Sequence, residues 1–403
     1  MSPRILLLAA AFALGLAACD APSESGAPVT PAGTGEPPPP ISVRFATWNT
    51  SLFDPAAGGL IARLERGDEA ARNIAAVLQR QRPDVVLLNE FDYDDRQRAA
   101  ELFQRRYLEV PQAGQVPIRY DYRYLAPVNT GEPSGLDLDG DGRSDGPNDA
   151  WGYGTHPGQY GMLVLSRYPI DALAVRSFRQ FLWKDLPGAR QPKNPDGTPY
   201  YPAAVWERLR LSSKSHWDVP IRTALGTVHF LVSHPTPPVF DGPENRNGAR
   251  NADEIAFWTR YLAEPEAAWL CDDLGVCGGL PSEARFVLAG DLNADRSDGH
   301  GDHTAIGALL DSPRVDATFV PRSEGAAEVA AGYGFERKGE VNAHTGDFGP
   351  RTGTLRIDYL LPSEGFAVLD GGVFWPRKDA PEAAWTRASD HHMVWLDLAD
   401  PAP

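Results

Sequence analysis

Several apolar runs in this chain stop on residues that bind cations or move protons. Asn49 closes "RFATWN", Glu90 closes "PDVVLLNE", and His234 closes "TVHFLVSH". Asp291 closes "RFVLAGD", with Asn293 two positions on, and Asp390 and His391 stand just before "HMVWLDL". Carboxylates, carboxamides and imidazoles are the groups that hold a hard cation, orient water or face an oxyanion. Taken singly, a strand-terminal Asp or Asn usually caps a helix or opens a turn. So many such endings, none of them Lys or Arg, point to convergence at one sheet edge. Asp291 and Asn293, two residues apart, project to the same side of an extended segment, and Gly290 permits close backbone approach.

The elements that must position these groups are legible from periodicity. Residues 41–49 alternate as a strand, with Val43, Phe45 and Thr47 on one side. Further strand-like runs cover 83–90, 161–166, 227–234, 285–291, 355–361 and 392–398. Residues 68–81 carry helical spacing in Ala71, Ile74, Ala75 and Leu78 with acidic residues in the first turn. Residues 244–262 and 304–310 are further helical candidates. Strands mixed with helices argue for an α/β sandwich over an all-β barrel. No internal repeat appears, so 41–403 reads as one domain. Gly/Pro-rich insertions at 127–159 and 184–202 are long enough to be functional lids or mobile surface.

The ordered segments "TWN" (47–49), "NE" (89–90), "GDLN" (290–293), "RIDY" (356–359) and "SDH" (389–391) resemble the motifs of the endonuclease/exonuclease/phosphatase superfamily. The resemblance covers almost all of the chain after residue 40. It implies a DNase-like four-layer α/β sandwich, two packed mixed β-sheets flanked by helices. It also implies hydrolysis of phosphate esters by direct attack of water. Asn49, Glu90 and Asp390 would hold a divalent cation, Mg²⁺ first with Mn²⁺ or Ca²⁺ as rivals, because the donors are oxygen. Asp291 would orient or deprotonate the water, and Asn293 would donate to a phosphate oxygen. Asp358 would hold His391 as an imidazolium against the phosphate. His234 matches the DNase-like and phosphatase-like branches, whereas the abasic-site endonucleases carry Tyr there. Asn89 departs from the family's usual Gln and leaves one supporting hydrogen bond open.

Other segments lie outside these motifs. After His234, Arg246, Asn247 and Arg250 are candidates to grip phosphate or hydroxyls, or else form a solvated helical face with internal salt bridges. Lys214, His216 and Asp218 in "SSKSHWDVP" form either a substrate loop or a structural one. Asp137, Asp139, Asp141 and Asp145 follow calcium-loop spacing with Gly142 at the sixth position, but Asn148 replaces the terminal Glu and no flanking helix is evident. Structural Ca²⁺ and a plain Asp-rich turn both fit. Tyr160 and His156 are placed to border the cleft, and His300, Asp302 and His303 form a weak metal candidate.

The N-terminus, "MSPRILLLAAAFALGLAACD", has the form of an export signal over residues 1–18. Leu16-Ala17-Ala18-Cys19 resembles a bacterial lipobox, which implies lipidation at Cys19; cleavage near Ala18 with a chance Cys is the alternative. Residues 19–40 then read as the lipidated Cys and a Pro-rich tether. The expected location is a bacterial membrane facing the periplasm or cell surface, with the lipid as the sole membrane contact. An oxidising compartment would allow Cys271 and Cys277 to pair.

The formal charge is −16, with 38 basic against 54 acidic residues. Such a surface disfavours duplex nucleic acid without a local basic patch or bridging cations. The expected partner is a small phosphorylated substrate, bound by a monomer. An extracellular DNase and a non-catalytic ligand-binding lipoprotein on the same scaffold are the rival readings.

Overall fold

The computed structural model of the protein describes residues 40–402. The expected signal, the lipidation at Cys19 and the tether up to residue 39 lie outside them. Thirteen strands run in chain order as β1 (Ser42–Leu52), β2 (Val85–Phe91), β3 (Tyr122–Tyr124), β4 (Met162–Ser166), β5 (Arg176–Ser177), β6 (His216–Thr223), β7 (Gly226–Ser233), β8 (Arg285–Asp291), β9 (Gly346–Asp347), β10 (Thr354–Leu355), β11 (Asp358–Pro362), β12 (Ala367–Val373) and β13 (Val394–Ala399). They form a six-stranded sheet in the order β12-β13-β1-β2-β4-β3 and a five-stranded sheet in the order β11-β8-β7-β6-β5, with β9 and β10 as a separate pair. Both sheets are mixed: β1 and β2 are parallel, as are β7 and β8, while β13 and β11 run antiparallel to β1 and β8.

Alternation along the strands produces the layers. Val43, Phe45, Val85 and Leu87 from one sheet meet Val228, Phe230, Val232, Val287 and Ala289 from the other in the central core. The intervening residues face outward: Trp48, Val86 and Leu88 pack under the helix Glu69–Gln81, and Leu231, Phe286 and Leu288 under the helices Arg246–Ala263 and His303–Leu310. The expected four-layer sandwich is the fold observed. Burying each of these large side chains on both faces of a strand contributes roughly 1.5–3 kcal/mol, well above the ~0–1 kcal/mol of an exposed ion pair. The mounting of the site therefore rests on the core.

Local signals set the helix ends. Asp68 is the N-cap of Glu69–Gln81, its side chain accepting from the Ala71 N–H at 2.8 Å. Asp302 caps His303–Leu310 through the Thr304 and Ala305 amides. This capping, with an ion pair to Arg190, replaces the metal role considered for Asp302; His303 instead bonds the Asp295 carbonyl through Nδ1. Cys271 and Cys277 form a disulfide.

In the Asp-rich loop, carboxylate oxygens of Asp137, Asp139 and Asp149 lie within 4.8 Å of one another, a spacing that could hold a cation. Asp137 accepts from the Gly140 and Gly142 amides, and Asp145 pairs with Arg143 at the surface. Short Asx-type turns satisfy these carboxylates locally.

Candidate active site

Because β1, β2, β7 and β8 all end at the same edge of the sandwich, and β11 and β13 begin there, the polar endings converge. Asp358 lies directly opposite Asp291 across the β8–β11 pair, so the two carboxylates emerge on one face. Gly290 is required by packing: a Cβ there would fall 2.2 Å from the Ser233 carbonyl oxygen. β8 thus runs hard against the end of β7, and His234 is brought beside Asp291.

Asp291 is the hub. Its Oδ2 accepts from Asn49 Nδ2 at 3.1 Å and lies 3.4 Å from His234 Nε2 and 3.6 Å from His391 Nε2. Its Oδ1 accepts from the Asn293 N–H at 2.9 Å, and its own N–H donates to Asn89 Oδ1 at 3.2 Å. Asn89 thus serves as backbone support for Asp291. Burial alone would raise the Asp291 pKa, but His391, His234 and the Asn49 amide hold it well below the usual carboxylate range.

The two histidines differ. His391 Nδ1 bonds Asp358 Oδ2 at 2.9 Å, and that oxygen also accepts from Thr345 Oγ1 at 2.7 Å. Burial opposes charge on His391, yet Asp358 and Asp291 together raise its pKa well above the ordinary value. His234 is pushed down to about 4, first by burial and then by the Lys214 ammonium.

Glu90, at a positive φ of 56°, faces the cleft. Its pKa rises to about 7 because of burial, against the lowering effect of the Asn49 hydrogen bond. A carboxylate placed at that cost gains most from a cation beside it. Asp390, more exposed, lines the same cleft. Asn49, Glu90 and Asp390 offer oxygen donors only, which fits a hard divalent ion.

The cleft measures about 1060 Å³. Both insertions contribute to its walls, with Leu138 and Tyr153 from the first and Tyr201 from the second. Tyr160 lines it and packs tilted against Phe53, ring centroids 4.5 Å apart, whereas His156 borders a neighbouring depression and is bonded to the Asp54 carbonyl. His300 also lines the cleft. Arg246 lines the wall while paired with Glu244, and the Asn247 amide is bound to the Val239 carbonyl.

Arg250 does something other than grip a ligand with its full fork. Nε and Nη2 donate to the carbonyls of Leu211, Trp151, Arg210 and Ser212. One turn along the same helix, Glu254 accepts from the Ser213 and Thr236 amides at 2.6 and 2.7 Å. These two side chains fasten residues 210–213 to the helix, and His216, wedged between Ser212 Oγ and the Glu254 carbonyl, completes the fastening. Asp218 is likewise structural, bound to His229 and Tyr261.

The residue so presented is Lys214. It is buried, lines the cleft with Glu90, His234 and Asp291, and makes no ion pair within 4.0 Å among the described residues. Its pKa is lowered, chiefly by burial. Sequence spacing had given no means of separating Lys214 from its structural neighbours His216 and Asp218. Thr345 lies outside the sequence motifs, and Ser389, within "SDH", has a role the sequence does not show: its Oγ donates to the Asn49 carbonyl and receives the His391 N–H.

An α/β sandwich with carboxylates, carboxamides and two unlike histidines at one strand edge defines the class of metal-dependent phosphoesterases. Residues 46–391 match the model of the endonuclease/exonuclease/phosphatase family, and the chain belongs to that family. Its members are phosphoester hydrolases that depend on divalent metal, and this protein is accordingly a hydrolase of phosphate ester bonds. No protein of curated function matches the sequence.

Among solved structures, an endonuclease/exonuclease/phosphatase from Beutenbergia cavernae is 18% identical, with 90% of this chain and 72% of that one covered and a TM-score of 0.51. A family protein from Bacteroides thetaiotaomicron is 14% identical, with 90% and 100% covered and a TM-score of 0.46. Sphingomyelinase C from Streptomyces griseocarneus is 17% identical, with 89% and 99% covered and a TM-score of 0.44.

Proposed function

We propose that this protein is an exported, lipid-anchored phosphatase acting on small organic phosphates. The observation that carries the substrate class is the walled cleft. Two insertions close the strand edge into a concavity of about 1060 Å³, the upper end of what small-ligand sites occupy. The acidic surface supports the same reading. Export and anchoring rest on the signal-like start and Cys19.

In this reading Asn49, Glu90 and Asp390 would hold Mg²⁺, which would polarise a phosphoryl oxygen and neutralise charge on the leaving oxygen. Asp291, kept ionised, orients the attacking water and accepts its proton. Asn293 donates to a phosphate oxygen without the repulsion a second carboxylate would bring. His391 presents its Nε2–H to the charge that develops in the transition state, with Asp358 fixing the ring. His234, neutral, adds a donor opposite His391, and Lys214 supplies a cation to the incoming phosphate. Water attacks in line, and no covalent intermediate forms.

A substrate panel tests this reading: a model phosphomonoester, a phosphodiester, phytate, sphingomyelin and plasmid DNA, each with Mg²⁺, Mn²⁺ or Ca²⁺ and after EDTA. Turnover highest on a small monoester, abolished by EDTA and restored by Mg²⁺, is expected. Preferred cleavage of DNA, or tight binding with no turnover of any ester, would overturn it.

A further inference from the structure

Beyond the catalytic cluster, three Lewis bases converge. Carboxylate oxygens of Asp295 and Asp298 and an imidazole nitrogen of His344 all lie within 4.8 Å of one another, and all three residues are buried. The carboxylates are met only by backbone amides. Asp295 accepts from Ser297, Asp298 and Arg356, and Asp298 from Lys338 and Gly339. No Lys or Arg lies within ion-pair distance of either among the described residues. His344, 1% exposed, uses Nδ1 in a 2.7 Å bond with Thr354 Oγ1, while its Nε2 has no partner.

Burial lowers the His344 pKa. With Nδ1 bonded to Thr354, the nitrogen left for a ligand is Nε2. A buried imidazole nitrogen without a partner costs about 1–3 kcal/mol, and neighbouring carboxylates make a bare lone pair there still less favourable. A divalent cation would satisfy all three bases together.

We propose that Asp295, Asp298 and His344 form a second divalent-cation site beside the catalytic one, suited to Zn²⁺. Two carboxylates and one imidazole, with a water in the fourth position, make a tetrahedral set that zinc accepts. Mg²⁺ and Ca²⁺ prefer oxygen alone. The Thr354 bond fixes the imidazole as outer partners do in zinc centres.

The site would join three stretches of chain that flank the reaction centre. Asp295 follows Asn293 by two residues, Asp298 holds the 338–339 turn, and His344 adjoins Thr345, which bonds Asp358.

The test uses the full chain with Glu90→Gln and Asp390→Asn, which disable the oxygen-donor site. After zinc loading and exhaustive dialysis, metal analysis is expected to find one retained equivalent, lost when His344→Gln is added. No retained zinc, or retention unchanged by His344→Gln, overturns the proposal. Should His344→Gln fail to fold, the parent double variant loaded with one equivalent of Cu²⁺ and read by pulsed EPR decides. Modulation from the remote nitrogen of a coordinated imidazole is expected, and its absence overturns the site.

Discussion

The two walls of the cleft use the same residue type for opposite purposes. On the wall formed by β11 and the start of β13, His391 faces Asp358 and Asp291, which raise its pKa well above the ordinary value. On the wall formed by β7 and the 210–216 loop, His234 faces Lys214 as well as Asp291, and its pKa falls to about 4. Both rings are buried within 3.6 Å of the same carboxylate oxygen. Burial lowers both; Asp358 outweighs it at His391, whereas the Lys214 ammonium adds to it at His234. Two imidazoles around one carboxylate can thus have their pKas moved in opposite directions.

Breaking the shared member should have the largest effect. Asp291→Asn is expected to lower kcat by roughly 10³-fold or more, since it removes the proton acceptor and the charge both histidines face. Steady-state rates with unchanged circular dichroism check this. His391→Ala should cost about 10²- to 10⁴-fold in kcat; a variant of normal rate would sink the proposed mechanism.

Asp358→Asn tests the origin of the asymmetry. A folded pKa raised by a carboxylate falls when that carboxylate is neutralised, so the alkaline limb of the kcat profile should move to lower pH. The accompanying rate loss should be roughly 10- to 100-fold, and an unmoved limb would show that Asp358 does not set the charge of His391.

On the other wall, Lys214→Met should raise KM about 10-fold with a smaller change in kcat, as expected for lost ground-state phosphate binding. It should also raise the pKa of His234, which NMR titration of the ring would follow.

The smallest effect concerns stability. His216 has its pKa depressed to about 4 by burial, against an ordinary value of 6.5. The unfolded chain thus binds the proton first, and this contribution to stability is complete above pH 6.5 and lost progressively down to about pH 4. Denaturant midpoints between pH 7 and pH 5 should fall, and His216→Gln should reduce that slope.

The period-two strands and their polar endings were legible because each strand is buried on both faces yet must stop at a wet edge; β1, β2, β7 and β8 all show it. Helix starts were legible where a side-chain cap marks them, as at Asp68. The helix Glu324–Tyr333, although capped by Ser323, was not recognised, because its small residues give little apolar periodicity. Within the site, the Asp358–His391 pair followed from motif resemblance, whereas Lys214, Thr345 and the Asp295–Asp298–His344 cluster depend on contacts between distant segments. Arg250 shows the limit in the other direction. Its charge and position suggested a ligand, and only the carbonyls around it reveal that it fastens a loop.

Gly290 has a consequence for how the site responds to its surroundings. The separation of His234 from Asp291 is limited by backbone pressed against backbone, with the Ser233 carbonyl occupying the space a methyl group would need. Excluded volume, unlike an ion pair, is indifferent to ionic strength and to proton concentration. The spacing between imidazole and carboxylate should therefore hold across changes of salt and acidity that would loosen a purely electrostatic contact.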